Sequence, residues 1–179
     1  MTHEIILAGF GGQGILSAGR LLAQAGMMDG KQVSWLPSYG PEMRGGTANS
    51  SVVISDKPVD SPVLSNASAL IVMNKPSLDK FEAWVDKDGI VIIDSSIVDR
   101  DVKRKDIESF LIPATKIASD MGNTAYANII LLGKLIQERQ IVTLENFEKA
   151  LYVVLPPKKH HMIPEEMEAL KIGMNYADK

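Results

Sequence analysis

The chain has 179 residues, of which 45% are hydrophobic and 23% charged, the proportions of a single globular domain. Its net charge of −3 at neutral pH gives no electrostatic reason to expect a nucleic acid partner. It contains no cysteine, which excludes disulfides, thiol catalysis and any iron–sulfur cluster ligated by cysteines of this chain.

The sequence predicts neither export nor a membrane span. Residues 1–4 lack the basic stretch and apolar core of a signal peptide. The most apolar run, residues 125–132, is far shorter than the roughly 20 residues that cross a bilayer. We therefore expect a cytoplasmic protein with no membrane partner.

The first forty residues indicate a strand, a glycine turn, a helix and a second strand. Residues 5–8 are uniformly apolar, as in a strand buried on both faces. Small and apolar residues recur every three or four positions over residues 15–25, which predicts a helix packed on a sheet. Gly30 ends that helix, and residues 32–36 have the pattern of the second strand. This order is typical of a βαβ unit.

The rest of the chain alternates between strand and helix patterns. Residues 37–47 are predicted to form a loop, because they include two prolines and three glycines. A strand at 49–55, a turn at 56–58 and an extended piece near Val59 predict an antiparallel portion. Further strands are predicted at residues 69–73, 90–93 and 110–112. Further helices are predicted from Pro76 to about Val85, Ala114 to Met121, Asn123 to about Arg139, Thr143 to before Pro156, and from Pro164 onward.

We therefore predict an α/β fold with a Rossmann-like βαβ start. Its sheet is mostly parallel, with an antiparallel portion after residue 47 and helices on its faces. Residues 1–155 would form the α/β domain. Residues 156–179 would be a linker and a C-terminal helix, belonging either to the same domain or to an arm that contacts another subunit. The apolar face of that helix would consist of Met167, Leu170, Met174 and Ala177.

The glycine turn Gly9–Gly14 fits the pattern G-x-G-x-x-G between a strand and a helix. Three interpretations are open: dinucleotide binding, close strand–helix packing, and binding of an anion from another ligand or subunit. NAD or FAD binding would require an acidic residue at the end of the second strand, for the ribose hydroxyls. That strand ends in residues 35–38 without an acid, and Asp29 lies before it.

The predicted loop at 37–47 would lie beside the glycine turn, at the same edge of the sheet. Arg44 offers five donors for a carboxylate or phosphate, and Tyr39 offers an aromatic surface with a polar tip. Glu42 could simply pair with Arg44. An ordinary surface loop fixed by its prolines is the alternative.

The glycine turn, together with the segment Ser38-Tyr39-Gly40-Pro41-Glu42-Met43-Arg44-Gly45-Gly46-Thr47, resembles the gamma subunit of 2-oxoacid:ferredoxin oxidoreductases. That family includes the pyruvate, 2-oxoglutarate, 2-oxoisovalerate and indolepyruvate enzymes. The resemblance continues through residues 49–63 and 122–133, so it covers about residues 3–155, and it is loose beyond Pro156.

The resemblance implies an oxidative decarboxylation in which a 2-oxoacid and coenzyme A give acyl-CoA, carbon dioxide and reduced ferredoxin. Thiamine diphosphate and iron–sulfur clusters would lie on partner subunits, namely alpha, beta and a ferredoxin-like delta subunit. Coenzyme A would be a co-substrate and ferredoxin the electron acceptor. This chain would bind no cofactor alone and would be non-catalytic.

The predicted site holds an anion or coenzyme A, or forms a subunit interface. Its candidate residues are Gly11, Gly12, Gln13, Gly14, Ser38, Tyr39, Gly40, Pro41, Glu42, Met43, Arg44, Gly45 and Gly46. Two alternatives stay open at this point. One is a free-standing Rossmann-type oxidoreductase that binds NAD or FAD, and the other is a coenzyme A or phosphate-binding module with an unrelated partner.

Some other polar residues are expected to be structural. The adjacent His160 and His161 lack the spacing of metal ligands on a helix, and a linker is expected there. Residues 94–96 end a buried strand and are expected to form a cap or turn. Asn123 is expected to cap a helix and Asn128 to be a buried hydrogen-bonding residue.

Overall fold

A computed structural model describes residues 1–39 and 47–177 of the chain. Within these residues, six strands form one sheet: β1 (Thr2–Phe10), β2 (Gln32–Tyr39), β3 (Thr47–Ser55), β4 (Ala67–Val72), β5 (Val85–Asp94) and β6 (Glu108–Ile112). The helices are α1 (Ile15–Met28), α2 (Lys75–Phe81), α3 (Ala114–Asp120), α4 (Ala127–Arg139), α5 (Leu144–Val154) and α6 (Ile163–Asn175). Short 3₁₀ turns lie at Glu82–Trp84, Thr124–Tyr126 and Pro157–Met162.

The strand order is β2-β3-β1-β4-β5-β6, and only β3 runs against the others. The predicted α/β class is confirmed, as is the antiparallel portion after residue 47. Two details of the prediction were wrong. The strands β1 and β2 are parallel but are separated by β3, and the antiparallel partners of β3 are β1 and β2 rather than the segment near Val59.

Prolines account for the absence of a strand near Val59, and one proline also marks a further difference from the prediction, the extent of β2. After Ser55 the chain contains Pro58 and Pro62, which cannot donate to a ladder, and no strand forms there. Pro37 was predicted to lie in a loop, yet it lies within β2, together with Ser38 and Tyr39. Because β2 is an edge strand, a proline in it need not cost a ladder hydrogen bond.

The two faces of the sheet carry different helices. On one face, α1 packs on β2 and β3 and α4 packs on β4 and β5, while α5 and α6 pack against α1 and α4. On the other face, α2 packs on β1 and β4 above a smaller apolar core that includes Leu78 and Phe81. The helices that follow β1 and β4 therefore lie on opposite faces, so the boundary between these neighbouring strands is the topological switch point of the sheet.

The C-terminal helix α6 packs closely against α4. Ile163 and Leu170 of α6 are fully buried, and Met167 is nearly so. Gly133 of α4 lies against the Leu170 carbonyl, leaving no room for a side chain. The apolar stripe of α6 is therefore interior at Met167 and Leu170, whereas Ala177 is exposed beyond the end of the helix.

Caps fix several helix starts where the sequence predicted them. The Thr143 hydroxyl accepts from the Asn146 amide at the start of α5, and Asn74 caps α2 by accepting from Ser77. Asn123 accepts from the Ala125 amide, so it caps the 3₁₀ turn that leads into α4. Among the described residues, no helix has both the length and the apolar character that crossing a bilayer requires.

Candidate functional site

The glycine turn lies at the carboxyl end of β1, beside the end of β4. Thr47, which begins β3, pairs with Phe10, the last residue of β1. Tyr39 ends β2 one pairing away, opposite Ala48. Tyr39 and Thr47, the described residues on either side of segment 40–46, therefore lie beside the glycine turn at the same edge of the sheet.

A groove of about 270 Å³ joins the turn to the end of β2. Gly11, Gly12 and Gly14 line it from the turn, Leu16 from α1 and Tyr39 from β2. None of the described residues lining this groove is charged. What the described part offers a ligand is therefore backbone amide groups, two aromatic residues (Phe10 and Tyr39), the side chain of Ser17 and small apolar surfaces.

The conformation of the turn requires glycine at two positions. Gly12 has φ 91° and Gly14 has φ 75°, both in the left-handed region. Gly14 occupies the N-cap position of α1, and no described side chain caps this helix. The first amides of a helix have no partner within it, so the start of α1 presents donors that favour an anion.

Gln13 holds the turn against the neighbouring strand. Its side-chain oxygen accepts from the Phe10 amide at 2.6 Å, and its side-chain nitrogen donates to the Met73 carbonyl at 3.0 Å. The side chain therefore links the ends of β1 and β4 across the switch point. Both of its polar groups are engaged within the protein, so Gln13 shapes the turn rather than facing the groove.

Asn128 of α4 supports the same turn from the opposite side. Its side-chain nitrogen donates to the Gln13 carbonyl at 3.0 Å and lies 3.4 Å from the Gly14 carbonyl. The sequence predicted a buried hydrogen-bonding asparagine, and Asn128 is 9% exposed, but its link to the turn was missed. No local pattern could reveal it, because the partners are 115 residues apart in the chain.

The remaining candidate residues are divided between β2 and the undescribed segment. Ser38 and Tyr39 are exposed at the end of β2. Gly40, Pro41, Glu42, Met43, Arg44, Gly45 and Gly46 lie outside the described residues. The groove at the glycine turn is thus the described part of the candidate site.

Asp29 is committed to the protein scaffold. It ends α1 and accepts hydrogen bonds from the Thr143 amide at 2.8 Å, the Thr143 hydroxyl at 2.7 Å and the Asn146 side chain at 2.6 Å. Partial burial alone would raise the pKa of Asp29, but the hydrogen bonds from Asn146 and Thr143 lower it. Asp29 joins α1 to α5 and is not placed for a ribose at the end of β2.

Asp94 and His160 are likewise engaged in local structure. Asp94 is fully buried and accepts from the Thr115 hydroxyl at 2.6 Å and the Ser96 amide at 3.1 Å. It thereby forms the expected turn and also holds the start of α3. The Nε2 atom of His160 lies 2.9 Å from the Leu155 carbonyl oxygen, within a short 3₁₀ turn rather than a linker.

A larger cleft of about 530 Å³ lies beside α2 and has a charged lining. Arg100 donates to Asp79 and Glu82, at 2.7 and 2.9 Å. Arg104 donates to Asp106 and to the carbonyls of Glu82 and Val85. Both guanidinium groups thus donate hydrogen bonds to acceptors of the protein itself. The cluster therefore attaches the segment that precedes β6 to α2.

The comparisons with known proteins point to one family. The family model described as "Pyruvate ferredoxin/flavodoxin oxidoreductase" matches residues 4–176. The chain is 39% identical over 159 residues to 2-oxoglutarate synthase subunit KorC of Methanocaldococcus jannaschii, covering 87% of this chain and 85% of KorC. It is 38% identical over 178 residues to ketoisovalerate oxidoreductase subunit VorA of Methanothermobacter marburgensis, covering 98% of this chain but only 37% of VorA.

A solved structure shares the fold over nearly the whole chain. The gamma subunit of a keto/oxoacid ferredoxin oxidoreductase from Geobacter sulfurreducens superposes with a TM-score of 0.83 and 31% identity. The match covers 97% of this chain and 95% of that one.

Proposed function

Since this chain belongs to the pyruvate ferredoxin/flavodoxin oxidoreductase family, we propose that it is the non-catalytic gamma subunit of a 2-oxoacid:ferredoxin oxidoreductase. The similarity to a gamma subunit over 97% of the chain carries this proposal. The complex would convert a 2-oxoacid, coenzyme A and oxidised ferredoxin into acyl-CoA, carbon dioxide and reduced ferredoxin. It would be cytoplasmic and would contain alpha, beta and ferredoxin-like delta subunits.

The chemistry of bond cleavage and electron transfer would belong to those companions. Thiamine diphosphate would stabilise the carbanion formed on decarboxylation, and iron–sulfur clusters would carry the electrons. The absence of cysteine supports this division, because this chain has no thiolate with which to ligate a cluster. The role left to the chain is assembly and ligand positioning.

The glycine turn and Arg44 would hold an anion at the rim of the sheet. Coenzyme A carries several phosphates, and the amides at the start of α1 favour such a group. Arg44 lies in the segment between Tyr39 and Thr47, both of which lie beside the turn, and a guanidinium can bind phosphate through two parallel hydrogen bonds. A polar or acidic loop of a companion subunit is the other ligand that this chemistry fits.

An Arg44→Ala variant of the assembled complex tests the role of coenzyme A. The complex should bind coenzyme A about 1–3 kcal/mol less tightly. The measurement is the apparent affinity for coenzyme A during 2-oxoacid-dependent dye reduction. Arg20→Ala, an exposed change on α1, is the matched control. An intact complex with unchanged affinity for coenzyme A would assign the segment to the subunit interface instead.

Purification of the native protein with its companions tests the subunit role. The complex should contain thiamine diphosphate and iron and should reduce a dye in the presence of a 2-oxoacid and coenzyme A. The isolated chain should be inactive in the same assay. Turnover by the isolated chain, or tightly bound NAD or FAD, would contradict the proposal.

A further inference from the structure

The strand β2 forms one open edge of the sheet. Among the described strands it pairs only with β3, so its outer side faces away from the sheet. Its sequence, Gln-Val-Ser-Trp-Leu-Pro-Ser-Tyr, contains no charged residue. Proteins usually protect an edge strand with charges, short length or a covering element. Pro37 is the only such device within these eight residues.

The opposite edge strand, β6, differs in each of these respects. It has five residues, and its Glu108 pairs with Arg139 at 3.4 Å. The Lys134 ammonium lies 4.5 Å from the centre of the Phe110 ring. Charged side chains therefore lie on and beside the short strand β6, whereas β2 is longer and has no charged residue.

Exposed hydrophobic residues surround β2 on both faces of the sheet. On the α1 face, Trp35 donates to the Ser50 hydroxyl at 2.7 Å and remains 36% exposed, and Tyr39 is 58% exposed. On the α2 face, Leu36 and Val63 line a groove of about 190 Å³. One charged side chain, Lys80, lines that groove.

These four residues, Trp35, Leu36, Tyr39 and Val63, define an edge surface. They are four of the nine large hydrophobic residues that are exposed in the described part of the chain. Single exposed hydrophobic residues are ordinary, but a cluster around an edge strand that carries no charge, with no covering element among the described residues, indicates a surface that is covered in an assembly.

We infer that the edge surface binds a companion subunit of the same complex, through an uncharged, mainly apolar surface of that subunit. The inference rests on the proposed function. In VorA the matching unit is only 37% of a longer polypeptide, so its neighbour there is covalently attached. KorC is little longer than the unit, which covers 85% of it. A unit that occurs in both forms needs a surface that holds its companion without the covalent link, and hydrophobic burial supplies that affinity.

The test introduces charge at the edge surface and measures assembly. The double variant Leu36→Lys/Val63→Lys is co-expressed with the companion subunits, and the amount of chain that co-purifies is compared with wild type. Val153→Lys is the matched control, because Val153 is also exposed (54%) but lies on α5. Leu36 and Val63 are 37% and 69% exposed, so the lysines can reach water and the fold should survive, which a thermal unfolding curve of the free chain verifies.

The double variant should co-purify at least tenfold less than wild type, while Val153→Lys assembles normally. Hydrogen exchange should show protection of residues 32–39 in the wild-type complex relative to the free chain, with residues 108–112 unchanged. If the folded double variant assembles normally, the inference about the edge surface is wrong, while the proposed function is unaffected. A wild-type chain that dimerises through these residues and is not needed in the complex would assign the surface to a second copy and overturn the inference. A wild-type chain that fails to assemble with any companion would overturn the proposed function.

Discussion

The shape of the glycine turn depends on two side chains as well as on its glycines, one within the turn (Gln13) and one distant in the chain (Asn128). Gln13 connects the turn to β4, and Asn128 connects it to α4. Each satisfies backbone groups that the turn leaves without regular partners, and a buried polar group without a partner is costly. The donors at the start of α1 are therefore held in a fixed position before any ligand arrives.

We expect Gly14→Ala to destabilise the chain more than Gly12→Ala. Both residues have positive φ, which costs an alanine roughly 1–2 kcal/mol. A methyl group at Gly14 would also overlap the side-chain nitrogen of Asn128, whereas one at Gly12 would meet no atom within 4 Å. The free energies of unfolding in urea should separate these two contributions.

The double variant Gly14→Ala/Asn128→Ala is the control for that comparison. Removing the asparagine side chain clears the space that the new methyl group needs, so the double variant should lose less stability than the two single losses added together. Strictly additive losses would show that only backbone strain acts at Gly14.

Tyr126 should give the stability a dependence on alkaline pH. Its hydroxyl donates to Glu165 at 2.6 Å. Burial, and then this hydrogen bond to a carboxylate, raise the pKa of Tyr126 to about 12. Because the pKa is higher in the folded state, the contribution is fully present below about pH 10, the ordinary tyrosine value, and is lost as the pH rises towards 12.

Tyr126→Phe should therefore lower the free energy of unfolding at pH 7 by about 1–3 kcal/mol. It should also flatten the fall in stability between pH 10 and 12, measured by urea unfolding at a series of pH values. Tyr152→Phe, at an exposed position of α5, should leave both unchanged. An unaltered slope in Tyr126→Phe would assign the alkaline titration to another group.

At the scale of elements, the crossing of α4 and α6 depends on glycine. A methyl group at Gly133 would overlap the Leu170 carbonyl, a backbone atom that cannot move without displacing α6. We expect Gly133→Ala to reduce the free energy of unfolding by about 3 kcal/mol or more, at the upper end of overpacking effects. Unfolding in urea measures this loss of stability.

Gly26→Ala is the matched control on another helix. There the nearest atoms are side-chain methyl groups, at 3.1 Å for Ile54 and 3.2 Å for Val33, which can adjust. The gain in helix propensity of about 1 kcal/mol opposes that contact, so the variant should stay close to wild type. Equal losses at Gly133 and Gly26 would show that the helices can separate without cost.

The sequence predicted most elements because their signals are local. Residues 5–8 and 90–93 are continuous apolar runs, and the glycine turn marks the start of α1 at Ile15. The position of β3 between β1 and β2 was missed, because a strand's own pattern does not name its neighbours. The same limit hid the contacts of Asn128, since its partner lies on a distant turn.

At the scale of the molecule, β3 determines how the candidate site is built. By pairing with both β1 and β2, it brings the end of β2 beside the glycine turn. Tyr39 consequently belongs both to the groove and to the edge surface. A companion seated on the edge surface would therefore border the groove at the glycine turn, so the two proposals together predict that assembly of the complex affects ligand positioning.

We propose that residues 156–179 belong to the same folding unit as residues 1–155. Ile163 and Leu170 are fully buried in the core that also contains α4 and α5, and each such side chain stabilises a fold by about 1.5–3 kcal/mol. Domains of this size are stable by only about 5–15 kcal/mol in total. The full chain should therefore unfold in urea in one transition, with coincident curves from circular dichroism and from the fluorescence of Trp35 and Trp84.

A chain ending at residue 155 should lose this cooperative transition, because α4 would expose the surface that α6 covers. The exposed change Glu168→Ala on α6 is the control and should unfold at the same urea concentration as wild type. If the shortened chain instead unfolds cooperatively with unchanged stability, α6 contributes nothing to the folding unit and acts as an arm. Hydrophobic burial favours loss of the cooperative transition in the shortened chain, because the side chains of α6 that face α4 are part of the core.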